Sequence, residues 1–155
     1  MIKSGTQKAA REVVLVDVRL EKVADIENFS ALSAEHWSDF HDRVPQFKQD
    51  VLGVAEAVVA RKEGTAVGYL LFFVFDNPFY DEKMCCVGMY YLSKAHRGAG
   101  IGRQMFACLE QAAKDMGCAK IEASFNLKQP LGAFYEQQGY APTHVCVAKE
   151  LGNGR

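Results

Sequence analysis

The chain has 155 residues, of which 49% are apolar and 11% aromatic. It is long enough to bury one substantial core and too short for two comfortable ones, so we expect a single domain over residues 1–155. Its 18 basic against 19 acidic residues give a formal charge of −1. The chain therefore has no overall positive field to attract a phosphodiester backbone, and nucleic-acid binding is disfavoured. Apolar runs are too short for a membrane span or signal peptide, so we expect no membrane association and a cytoplasmic location.

Cysteine and histidine spacing argues against metal binding and disulfides. The chain has an odd number of cysteines and no CxxC pair, so neither a disulfide framework nor a zinc site is indicated. We interpret the cysteines as small core residues. His36 and His41 are five positions apart, a poor helical spacing for two ligands of one ion, and we predict no metal. The cysteines are Cys85, Cys86, Cys108, Cys118 and Cys146.

The first third of the chain predicts a strand followed by helices. Val13–Leu20 is β-branched and partly alternates apolar with charged residues, which predicts an opening strand. From Glu21 to about Val51 the apolar residues follow a helical spacing, and Pro45 interrupts the run. We predict two short helices there.

The middle of the chain predicts a hairpin and a buried strand. Ala55–Arg61 and Thr65–Phe75 are rich in β-forming residues and are separated by a turn sequence ending in Gly64, which predicts a β-hairpin. Lys83–Leu92 is almost continuously apolar, as in a strand covered on both faces, and we predict that it is the central strand. Gly88 within it allows a bulge.

From about Gly100 to Gly117 the apolar spacing becomes that of a helix, and Gly117 stands where a helix C-cap belongs. Lys120–Phe125 then predicts a strand, Pro130–Gly139 a short helix and Tyr140–Glu150 another strand. The order predicts a mixed α/β architecture, without repeats.

A glycine-rich segment, Arg97–Gly102, lies between the apolar strand and the long predicted helix. Its three glycines let the backbone turn tightly and approach a ligand. The first amides of a helix have no acceptor within the helix, and they lie at the positive end of the helix dipole. The segment therefore predicts an anion site.

Spacing separates three interpretations of this phosphate loop. The GK[ST] ending of a Walker loop is missing. A dinucleotide GxGxxG fingerprint would place its third glycine at Arg103, and its acid would be Glu122, inside the next strand. The segment does fit R-x-x-G-x-G, with Arg97, Gly100 and Gly102 at the fixed positions.

At this point the sequence resembles the GNAT superfamily of N-acetyltransferases. Leu92–Gly102 is similar to the family's main acetyl-CoA motif, and Asn126, Phe134–Tyr135 and Gly139–Tyr140 are similar to its second motif. The two motifs cover about residues 83–142. The resemblance implies the GNAT fold, a central mixed, mostly antiparallel sheet flanked by helices.

The resemblance also implies how acetyl-CoA is held. Main-chain amides of the glycine-rich segment would bind the pyrophosphate, and Tyr91 and Leu92 would pair with the pantetheine arm in a slot between two splayed strands. Ala99 stands where many members carry a basic residue, so one phosphate contact is absent. The implied cofactor-binding residues are Tyr91, Leu92, Arg97, Gly98, Ala99, Gly100, Ile101, Gly102, Arg103 and Asn126.

The chemistry implied by the resemblance is direct attack of a neutral amine on the thioester. A backbone amide near Leu92 would stabilise the tetrahedral oxyanion. Tyr135 matches the family's general acid, which protonates the departing sulfur. The competing interpretation is that Tyr135 is an interior aromatic residue whose hydroxyl has found a partner.

The general base and the acceptor site are left open by the motifs. Each candidate base is also explained as a solvated residue, and proton loss through ordered water is an alternative. Trp37 could line an acceptor pocket together with Phe40, although aromatic residues at this spacing are usually core. Glu82 is a further candidate on the substrate side. The candidate bases are Glu82, Glu35, His36, Asp39 and His41.

Two functions from different classes remain. The first is transfer of an acetyl group from acetyl-CoA to a primary amine of a small molecule or peptide. The second is a non-catalytic acyl-CoA-binding sensor or assembly module of the same fold. A nucleotide-dependent oxidoreductase is disfavoured by Arg103. The resemblance is compatible with a homodimer, and the sequence leaves the oligomeric state and the acceptor's identity open.

Overall fold

A five-stranded sheet dominates the computed structural model, which describes residues 15–41, 53, 55–149 and 151. The strands lie in sequence order, and neighbours are antiparallel except for β4 and β5, which are parallel. This confirms the predicted mixed, mostly antiparallel sheet. The strands are β1 (Val16–Lys22), β2 (Glu56–Lys62), β3 (Thr65–Asp76), β4 (Lys83–Leu92) and β5 (Cys118–Ala123).

Three α-helices accompany the sheet within the described residues: α1 (Phe29–Phe40), α2 (Ile101–Asp115) and α3 (Gly132–Gln137). Short 3₁₀ turns precede α1 at Val23–Asp25 and α2 at Lys94–His96. The second of the two helices predicted before Val51 falls on residues 42–52, which lie outside the described part of the chain.

The chain divides into two compact units, one up to Ser124 and the other from Phe125 onward. The first contains the whole sheet with α1 and α2, and the second contains α3. The single domain expected from the length stays a prediction.

The predicted hairpin is confirmed by the pairing of β2 with β3. Lys62 lies opposite Thr65, so the connection is a two-residue turn of Glu63 and Gly64. Both turn residues have positive φ, 50° and 82°. A two-residue hairpin needs this conformation because its twist matches that of the strands, and glycine adopts it without strain.

Strand β4 has the predicted bounds, but it is fourth in the sheet, and β3 is the middle strand. The expectation of a central strand is therefore wrong. Its apolar run is explained by cover on both faces, since Tyr90 contacts Phe106 of α2 while Tyr91 contacts His36 of α1. The predicted bulge is confirmed at Gly88.

Helix α2 confirms the period-based prediction. Its buried positions include Ile101, Met105, Leu109 and Ala112, spaced three and four apart as one helical face requires. Gly117, directly after the C-cap, has φ 77°. It occupies the left-handed conformation in which many helices end.

Several predicted boundaries differ from the structure. Strand β1 ends at Lys22, two residues later than predicted, and β5 runs two residues earlier than the predicted Lys120–Phe125. The strand expected over Tyr140–Glu150 is wrong for its described residues, which contain no strand at 140–149. Val145 and Val147 are 88% and 89% exposed. An alternating pattern is local, whereas a strand also needs a hydrogen-bonding partner.

The core between α1 and the sheet positions the site described below. Side chains from α1 and the 3₁₀ turn before it pack on one face of β2, β3 and β4. Burying each large apolar side chain contributes roughly 1.5–3 kcal/mol. This cluster includes Val23, Ile26, Phe29, Leu32, Ala57, Val59, Tyr69, Leu71 and Tyr91.

Replacing Gly68 with alanine should destabilise the fold by about 1–3 kcal/mol, the usual cost of overpacking. The added methyl group would stand 2.9 Å from Leu92 Cδ1 and 3.0 Å from the Tyr91 carbonyl oxygen. Urea denaturation measures the loss. Gly132→Ala is the control, because its methyl group would lie 3.5 Å from the nearest atom. Equal stability of Gly68→Ala and the unaltered protein would contradict the expectation.

Candidate active site

The segment between β4 and α2 forms an open loop. Gly98 and Gly100 both have φ 80°, and the space where a Cβ atom would stand has no atom within 4 Å. The first hydrogen bond of α2 runs from the Gln104 amide to the Gly100 carbonyl at 3.2 Å. The amides of residues 101–103 come before the first amide that donates within the helix, so the helix provides no acceptor for them. Together with the helix dipole they suit an anion.

The pairing of β4 with β5 ends before the loop is reached. The two strands pair over Lys83–Val87 and Cys118–Ala123, and β5 ends there while β4 continues to Leu92. The Gly88 bulge lies directly after the last paired residue of β4. The splay between the two strands that the resemblance implied stays a prediction.

The register decides which main-chain groups at the end of β4 point away from β3. The Ser93 amide donates to the Val67 carbonyl of the β3 side at 2.9 Å. Because main-chain groups alternate along a strand, those of Tyr91 also point to β3, and those of Leu92 point away. Leu92 is thus better oriented than Tyr91 to pair with an arm lying beside β4.

The Tyr91 side chain leaves the sheet toward α1. Its ring is fully buried, and its hydroxyl lies 2.8 Å from both Glu35 Oε1 and Asp39 Oδ2. One hydroxyl hydrogen can be donated to either carboxylate. Burial and then these carboxylates raise the pKa of Tyr91. Ser93 Oγ donates to the same oxygen of Glu35 at 2.8 Å.

The Asp39 carboxylate also joins α1 to two basic residues of the loop. Lys94 Nζ lies 2.6 Å from Oδ1, and Arg97 Nη2 donates to Oδ2 at 3.3 Å. The hydrogen bond from Lys94, more than those from Tyr91 and Arg97, lowers the pKa of Asp39. The Asp39 side chain is 9% exposed.

The Arg97 side chain folds back onto the protein. Its Nε donates to the Leu92 carbonyl at 2.7 Å, and its guanidinium carbon lies 5.4 Å from the ring centres of both Phe40 and Tyr91. A guanidinium stacked on aromatic rings and hydrogen-bonded twice is well anchored. Arg97 therefore fixes the start of the loop.

His36 is the most enclosed of the candidate bases. It is 2% exposed, its Nδ1 lies 2.6 Å from the Tyr69 hydroxyl, and its ring stacks on Tyr91 at 4.7 Å. Burial, and then the nearby His41, lower its pKa to about 4. The ring is neutral at neutral pH. Trp37 stacks on His41 at 4.5 Å at the end of α1.

Glu82 is not brought near the loop. It is exposed and precedes β4, and its amide donates to the Tyr80 carbonyl at 2.8 Å. A ten-residue strand separates it from the loop, a distance of roughly 30 Å at the usual rise per residue.

The second motif lies in the second unit and is described by itself. Tyr135 on α3 is 6% exposed and contacts the rings of Phe125, Phe134 and Tyr140 at 5.9, 6.0 and 5.6 Å. Gly139, with φ 87°, follows the helix end as predicted. Asn126 Oδ1 accepts a hydrogen bond from the Lys128 amide at 2.9 Å, which defines an Asx turn.

A cavity of about 480 Å³ lies elsewhere, beside β1 and the β2–β3 turn. Its carboxylates are bound by arginines: Arg61, 6% exposed, is 2.7 Å from Glu21 Oε2 and 3.2 Å from Glu27 Oε2. The hydrogen bond from Arg61 is the main cause of the lowered pKa of Glu21. This ion-pair cluster holds β1 to β2 and gives no indication of catalysis.

The remaining features concern metal binding, membrane spans and cysteines in the part of the chain that the structure describes. No group of three or more His, Cys, Asp or Glu side chains there is arranged to hold a metal, and no helix in those ranges has the length and apolar character of a membrane span. All five cysteines are free. Cys85 is buried, which raises its pKa to about 12, whereas Cys146 is exposed. The expectation that all are core residues is wrong for Cys146.

Residues 20–140 match the acetyltransferase (GNAT) family, and the chain belongs to that family. Over 90 residues it is 31% identical to the uncharacterized N-acetyltransferase YycN of Bacillus subtilis (strain 168). That match covers 57% of this chain and 56% of YycN, so it spans little more than half of that relative's length.

Solved structures share the fold. A ribosomal-protein-alanine N-acetyltransferase from Brucella melitensis biovar Abortus 2308 superposes with a TM-score of 0.75 at 24% identity, covering 89% of this chain and all of the other. An aminoglycoside acetyltransferase from an uncultured soil metagenomic sample, in complex with sisomicin, gives a TM-score of 0.73 at 14% identity, covering 88% and 96%. These likenesses confirm the GNAT fold.

Sequence reasoning missed the contacts between α1 and the loop. Glu35 and Asp39 are four residues apart and therefore lie on one face of α1. That spacing indicates a shared surface, but the sequence suggested a role for the two residues only as candidate bases. Their partners, Ser93, Lys94 and Arg97, lie far along the chain, so no local pattern connects them.

The stability of the protein should rise with pH between about 5 and 6.5 because of His36. Its folded pKa of about 4 lies below the ordinary histidine value of 6.5, so the unfolded chain binds the extra proton in this window. The slope should reach up to about 1.4 kcal/mol per pH unit. Denaturant titrations at several pH values measure it. His36→Gln should flatten the slope, whereas His144→Gln, at an exposed position, should leave it unchanged; equal slopes in all three proteins would refute the assignment.

Proposed function

We propose that this protein is an acetyl-CoA-dependent N-acetyltransferase that acetylates a primary amine of a small molecule or peptide. The observation that carries the proposal is the open loop at residues 97–102, which follows the end of β4 beyond its pairing with β5 and leads into a long helix. Family membership supports acetyl transfer, and the loop geometry supports the site.

The loop fits a diphosphate on two counts. Gly98 and Gly100 leave room for close approach of a ligand to the backbone. The amides at the start of α2 supply hydrogen-bond donors where a negative charge is favoured.

The end of β4 suits the pantetheine arm. The Leu92 amide points away from β3, whereas the Leu92 carbonyl accepts a hydrogen bond from Arg97 Nε at 2.7 Å. An extended pantetheine arm beside β4 would meet that amide.

In the proposed reaction the acceptor nitrogen forms a bond to the acetyl carbonyl carbon while the carbon–sulfur bond breaks. The Leu92 amide is directed toward the developing oxyanion and stabilises it. Tyr135 donates its hydroxyl proton to the sulfur, so that CoA leaves as a thiol. The acceptor ammonium first loses one proton to a base and attacks as a neutral amine. Its second nitrogen proton leaves as the tetrahedral intermediate collapses and returns through solvent to the Tyr135 oxygen, so that a neutral amide is released and the hydroxyl is restored.

Glu35 is the α1 carboxylate best suited to receive that proton, directly or through ordered water. It is exposed on the helix and accepts hydrogen bonds from two hydroxyl groups, those of Tyr91 and Ser93. Asp39 is held by two cations, and His36 is enclosed. Trp37, half-buried near the end of the same helix, is the proposed wall of the acceptor pocket, whereas Glu82 precedes the opposite end of β4 and is left out of the proposal.

The acceptor class follows from the amine chemistry and from two similar structures. One neighbour is named for a ribosomal-protein alanine and the other was solved with sisomicin, so peptide amines and cationic small molecules are the acceptors to screen. The alternative function is a sensor of the same fold that binds acyl-CoA without turnover. It predicts ligand-induced stabilisation without release of free thiol.

Ligand-dependent melting tests the loop directly. Acetyl-CoA and CoA should raise the melting temperature, while NAD and ATP should not, because only a ligand of the native state stabilises it. Gly100→Ala should weaken CoA binding by about tenfold, since a side chain at positive φ strains the loop by about 1–2 kcal/mol. No response of the unaltered protein to millimolar CoA would exclude the proposed function.

Gly117→Ala is the matched control for that measurement. Gly117 has φ 77° and open space around its Cβ position, like Gly100, but it lies at the opposite end of α2. Both variants should lose similar stability, and only Gly100→Ala should lose affinity for CoA. Equal loss of affinity in the two variants would place the diphosphate elsewhere.

Tyr135→Phe should lower kcat by about 10²–10⁴, the usual contribution of a positioned general acid. The KM for acetyl-CoA should change by less than about threefold, because the aromatic ring is retained. Release of free thiol with an amine panel measures the rate. Tyr140→Phe removes the hydroxyl of a ring in contact with Tyr135 and should leave kcat nearly unchanged. An active Tyr135→Phe would remove its proposed role, and absence of thiol release by the unaltered protein would favour the sensor.

A further inference from the structure

We propose that Asp39 is a positioning residue for the CoA-binding loop: through Lys94 and Arg97 it holds the loop in the shape that binds the pyrophosphate. The inference rests on the proposed function and adds a residue outside the glycine-rich segment. It assigns to α1 a role in cofactor affinity, in addition to a role on the acceptor side.

The contacts form a continuous path from α1 to the loop. Asp39 bonds Lys94 at 2.6 Å and Arg97 at 3.3 Å, and Arg97 in turn donates to the Leu92 carbonyl at 2.7 Å. The Tyr91 hydroxyl, 2.8 Å from Asp39, adds a fifth residue. The carboxylate is thus shared by a donor from the end of β4 and by two donors from the connection after it.

The loop needs such an anchor because it has little packing of its own. Residues 98–100 are exposed, and the Cβ positions of Gly98 and Gly100 are open. Two glycines separated by one residue give this segment wide conformational freedom. Its conformation is therefore set at its two ends, by α2 on one side and by Arg97 on the other.

A partly buried carboxylate can anchor the loop at this position. The Asp39 side chain is 9% exposed, while those of Lys94 and Arg97 are 68% and 38% exposed. Charge-assisted hydrogen bonds to such a partly buried acceptor are stronger than exposed ion pairs. The guanidinium also stacks on Phe40 and Tyr91, so Asp39 selects one orientation of an already stacked side chain.

The competing role for Asp39 makes the opposite prediction. If Arg97 bound the pyrophosphate with its side chain, Asp39 would compete for it, and removing the carboxylate would tighten CoA binding. In the positioning role, removing the carboxylate loosens the loop and weakens binding. The sign of the change therefore distinguishes the two.

The test compares Asp39→Asn with the unaltered protein by calorimetry with CoA. We expect an increase in Kd of about tenfold, and near-native Kd in Asp39→Glu, which keeps the charge. Removing a carboxylate also changes the local field, so the titration is repeated at high salt, which screens the longer-range field more than the short contacts of a partly buried carboxylate. Glu56→Gln, which removes a 2.6 Å ion pair with Lys22 on the far strands, should leave the Kd for CoA unchanged.

A second readout uses a thioester without the pyrophosphate. Asp39→Asn should lower kcat/KM for acetyl-CoA but leave kcat/KM for S-acetylpantetheine within about twofold, because the loop contacts only the former. A general structural defect would lower both. If Asp39→Asn does not fold, Arg97→Lys, which cannot reach both Leu92 and Asp39 with one nitrogen, tests the same anchor and should show the same selective loss.

The outcomes separate this inference from the proposed function. An unaltered protein that does not bind CoA would overturn both. Binding by the unaltered protein together with unchanged or tighter binding by Asp39→Asn would overturn the positioning role alone. In a double-mutant cycle, Asp39→Asn with Arg97→Lys should be no weaker than the weaker single variant, because the two residues act through one contact; additive losses would contradict the inference.

Discussion

The carboxylate of Asp39 is the contact on which the arrangement of the site depends. It joins a helix to the end of a strand and to the loop after it, which lie more than fifty residues further along the chain. Without this carboxylate, Tyr91 would keep Glu35 and Arg97 would keep the Leu92 carbonyl, while Lys94 is exposed to water, so the loss would fall on the link between the helix and the loop. The contacts of Asp39 therefore make the positions of α1, the end of β4 and the glycine-rich loop depend on one another.

Elements defined by local chemistry could be predicted from the sequence. The hairpin turn at Glu63–Gly64, the bulge at Gly88 and helix α2 with Gly117 behind it all depend on backbone freedom and apolar spacing. These are properties of a few consecutive residues. The strand expected after Tyr140 failed for the complementary reason. Its alternating pattern was present, but pairing is a property of two segments and is not visible in one.

The candidate site likewise has a part that the local sequence predicts and a part that it does not. The loop could be located because the glycines and the helix start carry its chemistry within six residues. The anchoring of Arg97 could not be predicted, because its partner Asp39 is 58 residues away and is one of many acids in the chain. Sequence reasoning considered Asp39 and His36 as bases. Their surroundings instead give one of them two cationic partners and enclose the other.

The bulge at Gly88 in β4 decides which helix the Tyr91 ring contacts. Before it, Val87 lies opposite Phe72, and after it, Met89 lies opposite Leu71. Odd-numbered side chains of β4 consequently change from one face of the sheet to the other in the middle of the strand. If Gly88 instead paired regularly, opposite Leu71, the Tyr91 ring would turn over to the side of α2, whereas deletion of Gly88 would leave every pairing and the side of Tyr91 unchanged. The freedom of Gly88 to leave the ladder thus lets this strand hold an extra residue and still place Tyr91 against α1, and a relative with a regularly paired residue at this position would be a protein whose loop is fastened differently.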